Sequence, residues 1–482
     1  MRRANVLFLL LSLGCSEPGR PLTTSADATG PISSSATASP STAAPPSSSS
    51  AMNQDTPSTS TDPKEEALAA KGRAFIDLLS QGRFAEATSG FDATMTAALP
   101  PEKLKGVWEG VLAGAGPLEK VEGARVAPAG AYKSVLITCK FKNVKLDAKV
   151  AYDKEEKVAG LFFAPAAEPY SDPPYVDRSK IEEREVTIGQ GDWALPGTLS
   201  LPTGAGPFRA VVLVHGSGPN DRDETIGANK PFKDLAGGLA SRGVAVLRYE
   251  KRTKVHGPKM AASVDLTVEQ ETVEDALLAV ELLRGMKEID KARVVVAGHS
   301  LGGQLAPRIA AKSTDVAAIA ILAGSTRPVY DMMVEQLRYI ASLDGRKAPE
   351  ESEQIQALEK AAARARELAK GAKPNDREVV LGVGAAYWVD LAQYDETKVA
   401  AGLTRPIFVA QGGRDYQVTT VDFDAWKKAL AGRKDVTFKL YPAANHAFGN
   451  GEGKSSPEEY QRRAPVDAAL VDDLASWVLG LP

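Results

Sequence analysis

The chain has 482 residues, more than one ordinary domain needs, and its 43% hydrophobic and 25% charged content is that of a folded globular protein. A formal net charge of -3 lacks the basic excess of an electrostatic nucleic-acid binder, and no internal stretch approaches the roughly 18 apolar residues of a membrane span. The two cysteines, Cys15 and Cys139, would join a leader to a folded domain if bridged, so the fold must stand on its core rather than on disulfides.

Residues 1–15, MRRANVLFLLLSLGC, read as a signal peptide. Arg2 and Arg3 supply the positive start and Val6 to Leu13 a short apolar run. Leu13, Gly14 and Cys15 suit the end of a bacterial lipoprotein signal, although Ser12 stands where a larger aliphatic residue is usual. The expectation is export to the cell envelope with a lipid on Cys15, the alternative being a soluble secreted or periplasmic protein. Residues 16–63 are rich in Ser, Thr, Ala and Pro and cannot bury enough apolar area to offset the entropy of ordering. They are expected to be a flexible tether, with a root-mean-square reach on the order of 40 Å.

Residues 64–165 form a separate unit. Leu68, Phe75, Leu78 and Leu79 recur at helical spacing, and a second helix is expected near Glu102 to Leu112. Ser134–Phe141, Val144–Tyr152 and Val158–Phe163 read as strands, which makes a small α+β domain. It resembles the cystatin- or NTF2-like accessory domain found before the catalytic part of some bacterial hydrolases. No cluster of His, Cys or acids with catalytic spacing marks it, and Cys139, inside an apolar run, reads as a buried structural thiol. Residues 166–184, with prolines crowding the start, read as a linker.

From Glu185 the pattern changes. Glu185–Ile188 and Trp193–Leu201 suggest an antiparallel hairpin. Six short apolar runs follow: Ala210–Val214, Val244–Arg248, Arg293–Ala297, Ala317–Leu322, Pro406–Ala410 and Val436–Leu440. Helical stretches such as Phe232–Ser241, Val273–Arg284 and Gln304–Ala311 separate several of them. Strands buried on both faces, alternating with helices, predict a mostly parallel sheet. In such sheets chemistry gathers beyond the carboxyl ends of the strands.

The third run leads into Gly298-His299-Ser300-Leu301-Gly302, a G-x-S-x-G turn between strand and helix, with Ser300 as candidate nucleophile. A serine hydroxyl needs a base. Of the four histidines, His215 ends the first run, His256 lies in a loop, and His299 is inside the turn with its side chain directed away from the attack site. His446 alone follows the serine, directly after the last strand, and is the candidate base. Asp415, after the preceding strand, is the candidate acid; Asp422, Asp424, Asp390 and Asp395 are its competitors. Two backbone N–H groups are expected to hold an oxyanion, those of Leu301 and of Ser217, with Gly216 or Gly218 as alternatives to Ser217.

Five segments in order, HGSGPNDRDE (His215–Glu224), VLRYEKR (Val246–Arg252), GHSLGG (Gly298–Gly303), QGGRDYQV (Gln411–Val418) and NHAF (Asn445–Phe448), resemble the EstD-type bacterial carboxylesterases of the α/β-hydrolase superfamily. The resemblance covers residues 185–482. It implies an α/β-hydrolase fold, a Ser300–Asp415–His446 triad, hydrolysis without metal or cofactor, and a preference for short acyl chains. Residues 327–401, largely helical by composition, sit where this fold carries a cap, and Tyr330, Met332, Met333, Tyr387 and Trp388 are candidates either for an acyl pocket or for plain packing. The expected partner is a small-molecule ester, with no nucleic acid and with membrane contact only through the N-terminal lipid. A peptidase or amidase of the same fold and a catalytically silent binding protein are the alternatives.

Overall fold

The computed structural model describes residues 63–129, 132–166, 170–261, 263–343 and 349–482. The expected leader, and all of the expected tether but its last residue, lie outside them. Among the described residues no helix is long and apolar enough to cross a membrane. Two compact units are present, one up to residue 166 and one from residue 170.

In the first unit, helix α1 (Pro63–Ser80) and helix α2 (Pro101–Ala115) lie on one face of a four-stranded antiparallel sheet, β1 (Leu118–Ala129), β2 (Tyr132–Phe141), β3 (Lys145–Tyr152) and β4 (Val158–Pro165), in that spatial order. Their apolar faces meet in a core that includes Phe75, Ile76, Leu104, Trp108, Val135, Ile137 and Val150. Cys139 is buried there, and burial pushes its thiol up to about 12, so it packs as an apolar residue. Strand β1 escapes the reading of apolar runs. It is an edge strand with register shifts around Lys120 and Gly123, and Glu119, Lys120 and Glu122 interrupt its apolar pattern.

The second unit is built on an eight-stranded sheet. Its strands are β5 (Ile181–Ile188), β6 (Leu195–Pro202), β7 (Phe208–Val214), β8 (Ala245–Tyr249), β9 (Ile289–His299), β10 (Ala318–Leu322), β11 (Ile407–Gly412) and β12 (Val436–Tyr441). The spatial order is β12-β11-β10-β9-β7-β8-β6-β5. The six strands from β12 to β8 are parallel, and β6 and β5 add an antiparallel edge. This is the expected α/β-hydrolase architecture. Alternate residues of one strand feed two cores: Val212 and Val214 pack on one face, Val211 and Leu213 on the other. Helices α3 (Glu274–Arg284) and α4 (Leu301–Lys312) cover the first face; α5 (Pro231–Ala240) and α6 (Ala468–Gly480) cover the second.

Two boundaries differ from the reading of the sequence. The linker expected over 166–184 is shorter, because β5 starts at Ile181, and Tyr175 docks onto the sheet unit through its hydroxyl, 2.8 Å from the Val466 carbonyl. Strand β5 is mostly exposed, so its first half has no apolar run to show. The insertion expected over 327–401 holds helices α7 (Val329–Ser342), α8 (Pro349–Ala369) and α9 (Ala385–Ala392), with a small hairpin of Val379–Val380 and Val383–Gly384. Its last helix, α10 (Glu396–Gly402), packs instead on α4 beside the sheet.

Candidate active site

Ser300 occupies the bend between β9 and α4 with φ 54° and ψ -117°, a region that a side-chain-bearing residue rarely adopts. Such backbone strain costs on the order of 1–3 kcal/mol and persists only when the surroundings enforce it. Here the Ser300 N–H donates to the Leu322 carbonyl at 2.9 Å, and the Ser300 carbonyl accepts from the Gln304 N–H at 3.0 Å. The flanking glycines are required by space. A Cβ on Gly298 would fall 2.0 Å from the Gly302 carbonyl oxygen, and one on Gly302 would fall 2.2 Å from that of Val214. The turn therefore lifts the Ser300 side chain off the end of the sheet.

His446 and Asp415 come from the loops after β12 and β11. Their side chains meet with Nδ1 to Oδ2 at 2.7 Å, both buried. The carboxylate is held from every side. Its Oδ1 accepts from the N–H groups of Gln417 at 2.8 Å and Val418 at 3.0 Å, and Oδ2 also accepts from the Gln411 amide at 3.2 Å. Asn445 shapes the histidine loop, its Oδ1 accepting from the N–H groups of Ala447 and Gly449. Among the described residues no hydrogen bond joins the Ser300 hydroxyl to the imidazole, a looseness common before substrate binds. The competing acids are engaged elsewhere: Asp422 with Arg327, Asp424 with Lys427, Asp390 with Arg308, and Asp395 as the cap of α10.

The loop after β7 lies against the nucleophile. A Cβ on Gly216 would sit 3.0 Å from that of Ser300 and 3.5 Å from its Oγ. The Gly216 N–H donates to Glu224 Oε1 at 2.6 Å, which removes it as an oxyanion donor, whereas the N–H groups of Ser217 and Leu301 have no acceptor among the described residues.

Several residues of this site escape the reading of the sequence as participants. Glu224, itself at φ 50°, is buried with Oε2 2.9 Å from His299 Nδ1, an ion-pair contact bent away from the ring N–H direction. Burial works against the charged form of His299, but the Glu224 carboxylate, together with the His446 carbonyl and Asp415, outweighs it and holds the imidazole above its usual range. His299 Nε2 in turn reaches the His446 carbonyl at 2.8 Å, so this pair ties the Gly216 loop to the His446 loop behind the nucleophile. Lys251, after β8, is buried and donates to the Gly216 carbonyl at 2.8 Å. Its position just past an apolar run was the available signal, set against the strong tendency of lysine to stay exposed. The aromatic candidates of the insertion divide: Tyr387 and Trp388 are packed into the core, and Tyr330 meets Trp388 edge to face at 5.7 Å.

His215 sits behind the same loop, its ring against Phe232 and Tyr249. Burial, opposed in part by Glu224, pulls its pKa from 6.5 down to about 4. The unfolded chain therefore binds a proton near pH 6.5 that the folded chain refuses until about 4, and stability falls as pH drops through that window. Between about pH 7.5 and 4.5 the loss from this residue is about 2–3 kcal/mol. Urea unfolding of the His215→Gln variant is expected to show an acid loss smaller by about that amount; an unchanged pH difference would remove His215 as the source.

Among known proteins, residues 211–462 match the model described as the alpha/beta hydrolase family, and residues 73–161 match one described as a protein of unknown function (DUF3887). Esterase EstD of Thermotoga maritima is 40% identical over 406 residues, 84% of this chain and 94% of that protein. Similar solved structures include an esterase of Pyrococcus furiosus, 16% identical over 57% of this chain and 90% of its own, at TM-score 0.38. Est1E from Butyrivibrio proteoclasticus is 15% identical over 61% of this chain and 98% of its own, at TM-score 0.39.

Proposed function

Since the chain belongs to the alpha/beta hydrolase family, we propose that it is an esterase that cleaves short-chain carboxylic esters through an acyl-enzyme on Ser300. The observation that most supports this reading is the buried Asp415–His446 pair, 2.7 Å apart, joined through His299 to the strained turn that carries Ser300. Esterase activity follows from the 40% identity to an esterase over most of both chains. The short acyl chain is the preference that the resemblance to EstD-type enzymes implies.

In this mechanism His446 Nε2 accepts the Ser300 proton as Oγ attacks the ester carbonyl. Asp415 holds the tautomer with the proton on Nδ1 and stabilises the imidazolium, remaining ionised throughout. The N–H groups of Leu301 and Ser217 receive the oxyanion. The alcohol leaves with the proton from His446, and water activated by the same imidazole releases the acid.

A panel of nitrophenyl esters of increasing acyl length, with aminoacyl anilides beside it, tests the reading. Turnover is expected to be greatest for acetyl to butyryl esters, to fall with chain length, and to be slow on anilides. Activity confined to anilides would assign the chain to amide chemistry instead. A fluorophosphonate is expected to label Ser300, and labelling elsewhere would reject it as nucleophile.

A further inference from the structure

The peptide unit joining Gly216 to Ser217 has two opposed edges, because C=O and N–H point in opposite directions across a trans peptide. Its N–H belongs to Ser217, the second oxyanion donor of the reading above, and the inference rests on that reading. Its C=O belongs to Gly216 and is grasped by two donors, Lys251 Nζ at 2.8 Å and Asn220 Nδ2 at 3.1 Å. The amide of Asn220 also donates to the next carbonyl, Ser217 O, at 3.0 Å. The Gly216 N–H is pinned by Glu224. The peptide is thus held along its carbonyl edge, and the edge that faces a substrate oxygen is left open.

Lys251 is an unusual choice for this task. It is 2% exposed, and its second partner is Glu271 Oε1 at 2.8 Å, on a single π-helical turn spanning Glu269–Val273. Glu271 Oε2 accepts from the Tyr387 hydroxyl at 2.7 Å. Removing an ammonium and a carboxylate from water costs several kcal/mol per ion, and such pairs do little for net stability. A buried ion pair aimed at the carbonyl of Gly216, the residue that lies against Ser300, is better explained by what it does to that peptide. A cation on the carbonyl draws electron density through the amide, and hydrogen bonds in a chain polarise one another. The N–H at the far edge becomes a stronger donor in a fixed direction.

We propose that Lys251 is a positioning residue of the oxyanion site: its ammonium, braced by Glu271, holds the Gly216 carbonyl so that the Ser217 N–H faces the tetrahedral oxygen. The oxygen bears its full negative charge only in the transition state, so the contribution falls on kcat rather than on substrate affinity.

The double variant Lys251→Met/Glu271→Gln tests this. Methionine keeps the apolar stem, and glutamine avoids leaving a buried carboxylate without its cation. Nitrophenyl acetate gives kcat and KM, and inhibition by an aryl trifluoromethyl ketone, which forms a charged tetrahedral adduct on the serine, reports on the oxyanion site. Loss of a whole oxyanion donor costs about 10²–10³ in kcat. Weakening one is expected to lower kcat about 10- to 100-fold, to leave KM within about threefold, and to weaken ketone inhibition by the same factor as kcat/KM. A kcat loss with unchanged ketone affinity, or a change confined to KM, overturns the assignment. If the double variant does not fold, Asn220→Ala, which removes the other donor to the same carbonyl, is expected to show the same pattern at about three- to tenfold. Undiminished kcat in that variant overturns the proposal equally. Wild-type kcat in these variants, with turnover abolished in Ser300→Ala, would sink the role of Lys251 and leave the esterase reading standing; turnover surviving in Ser300→Ala would sink both.

Discussion

Replacement of Ser300 by alanine is expected to lower kcat on a short-chain nitrophenyl ester by about a million-fold. The hydroxyl oxygen is the only heavy atom lost, but without it no acyl-enzyme forms, and His446 has no proton to take. What survives is the binding of the ester and the oxyanion donors, which leave a residual advantage over water of about 10³–10⁴. Stability separates this effect from unfolding. Ser300 sits at φ 54°, and alanine keeps the Cβ that makes this conformation costly, so the melting temperature of Ser300→Ala is expected to stay close to that of the parent. Ser300→Gly, equally inactive, is expected to be more stable by about 1 kcal/mol, because glycine adopts that backbone without the clash. Turnover in Ser300→Ala within about tenfold of the parent, measured on folded protein, would end the assignment of the nucleophile.

The second large effect is expected at Asp415. Asp415→Asn conserves shape and removes the charge, and the contacts around it dictate how the amide must sit. Oδ1 accepts from two backbone N–H groups, at 2.8 and 3.0 Å, so the asparagine oxygen must take that side. The amino group then falls where Oδ2 stood, facing His446 Nδ1 and the amide of Gln411. A donor there stabilises the imidazole tautomer with its proton on Nε2, the nitrogen that should accept from Ser300. A kcat loss of about 10⁴ is expected, with KM nearly unchanged, since the group touches no substrate. Stopped-assay kinetics at neutral pH on both proteins check it. A loss of less than about tenfold would mean that Asp415 only fills space beside the histidine.

How far the sequence reaches can be judged from particular residues. The inner parallel strands were legible because each is buried on both faces and shows as a short apolar run, such as Val211 to Val214. Strand β5 and strand β1 were legible only in part or not at all. Both lie at sheet edges, where one face meets water and charged residues interrupt the run. The turn at Ser300 announced itself through its glycines: at 298 the demand is local, set by the Gly302 carbonyl, whereas at 302 it is set by the Val214 carbonyl at the end of β7.

By itself, then, the sequence determined the local conditions of the chemistry: a serine on a glycine-flanked bend after a buried strand, a histidine after the last strand, and acids in the loops between. The sequence favoured Asp415 among those acids by its place after a strand, and the tertiary structure supplies the contact itself, bringing Asp415 to His446 while Asp422 turns to Arg327 and Asp390 to Arg308. The inner supports of the site belonged to the tertiary structure alone. Glu224 against His299, and Lys251 between Gly216 and Glu271, join residues from 20 to 75 positions apart. Apolar periodicity and backbone sterics act over a few residues and leave their mark in the chain. A buried charge leaves none, because its partner is selected by distance in space, where desolvation makes an unpaired ion too costly to keep.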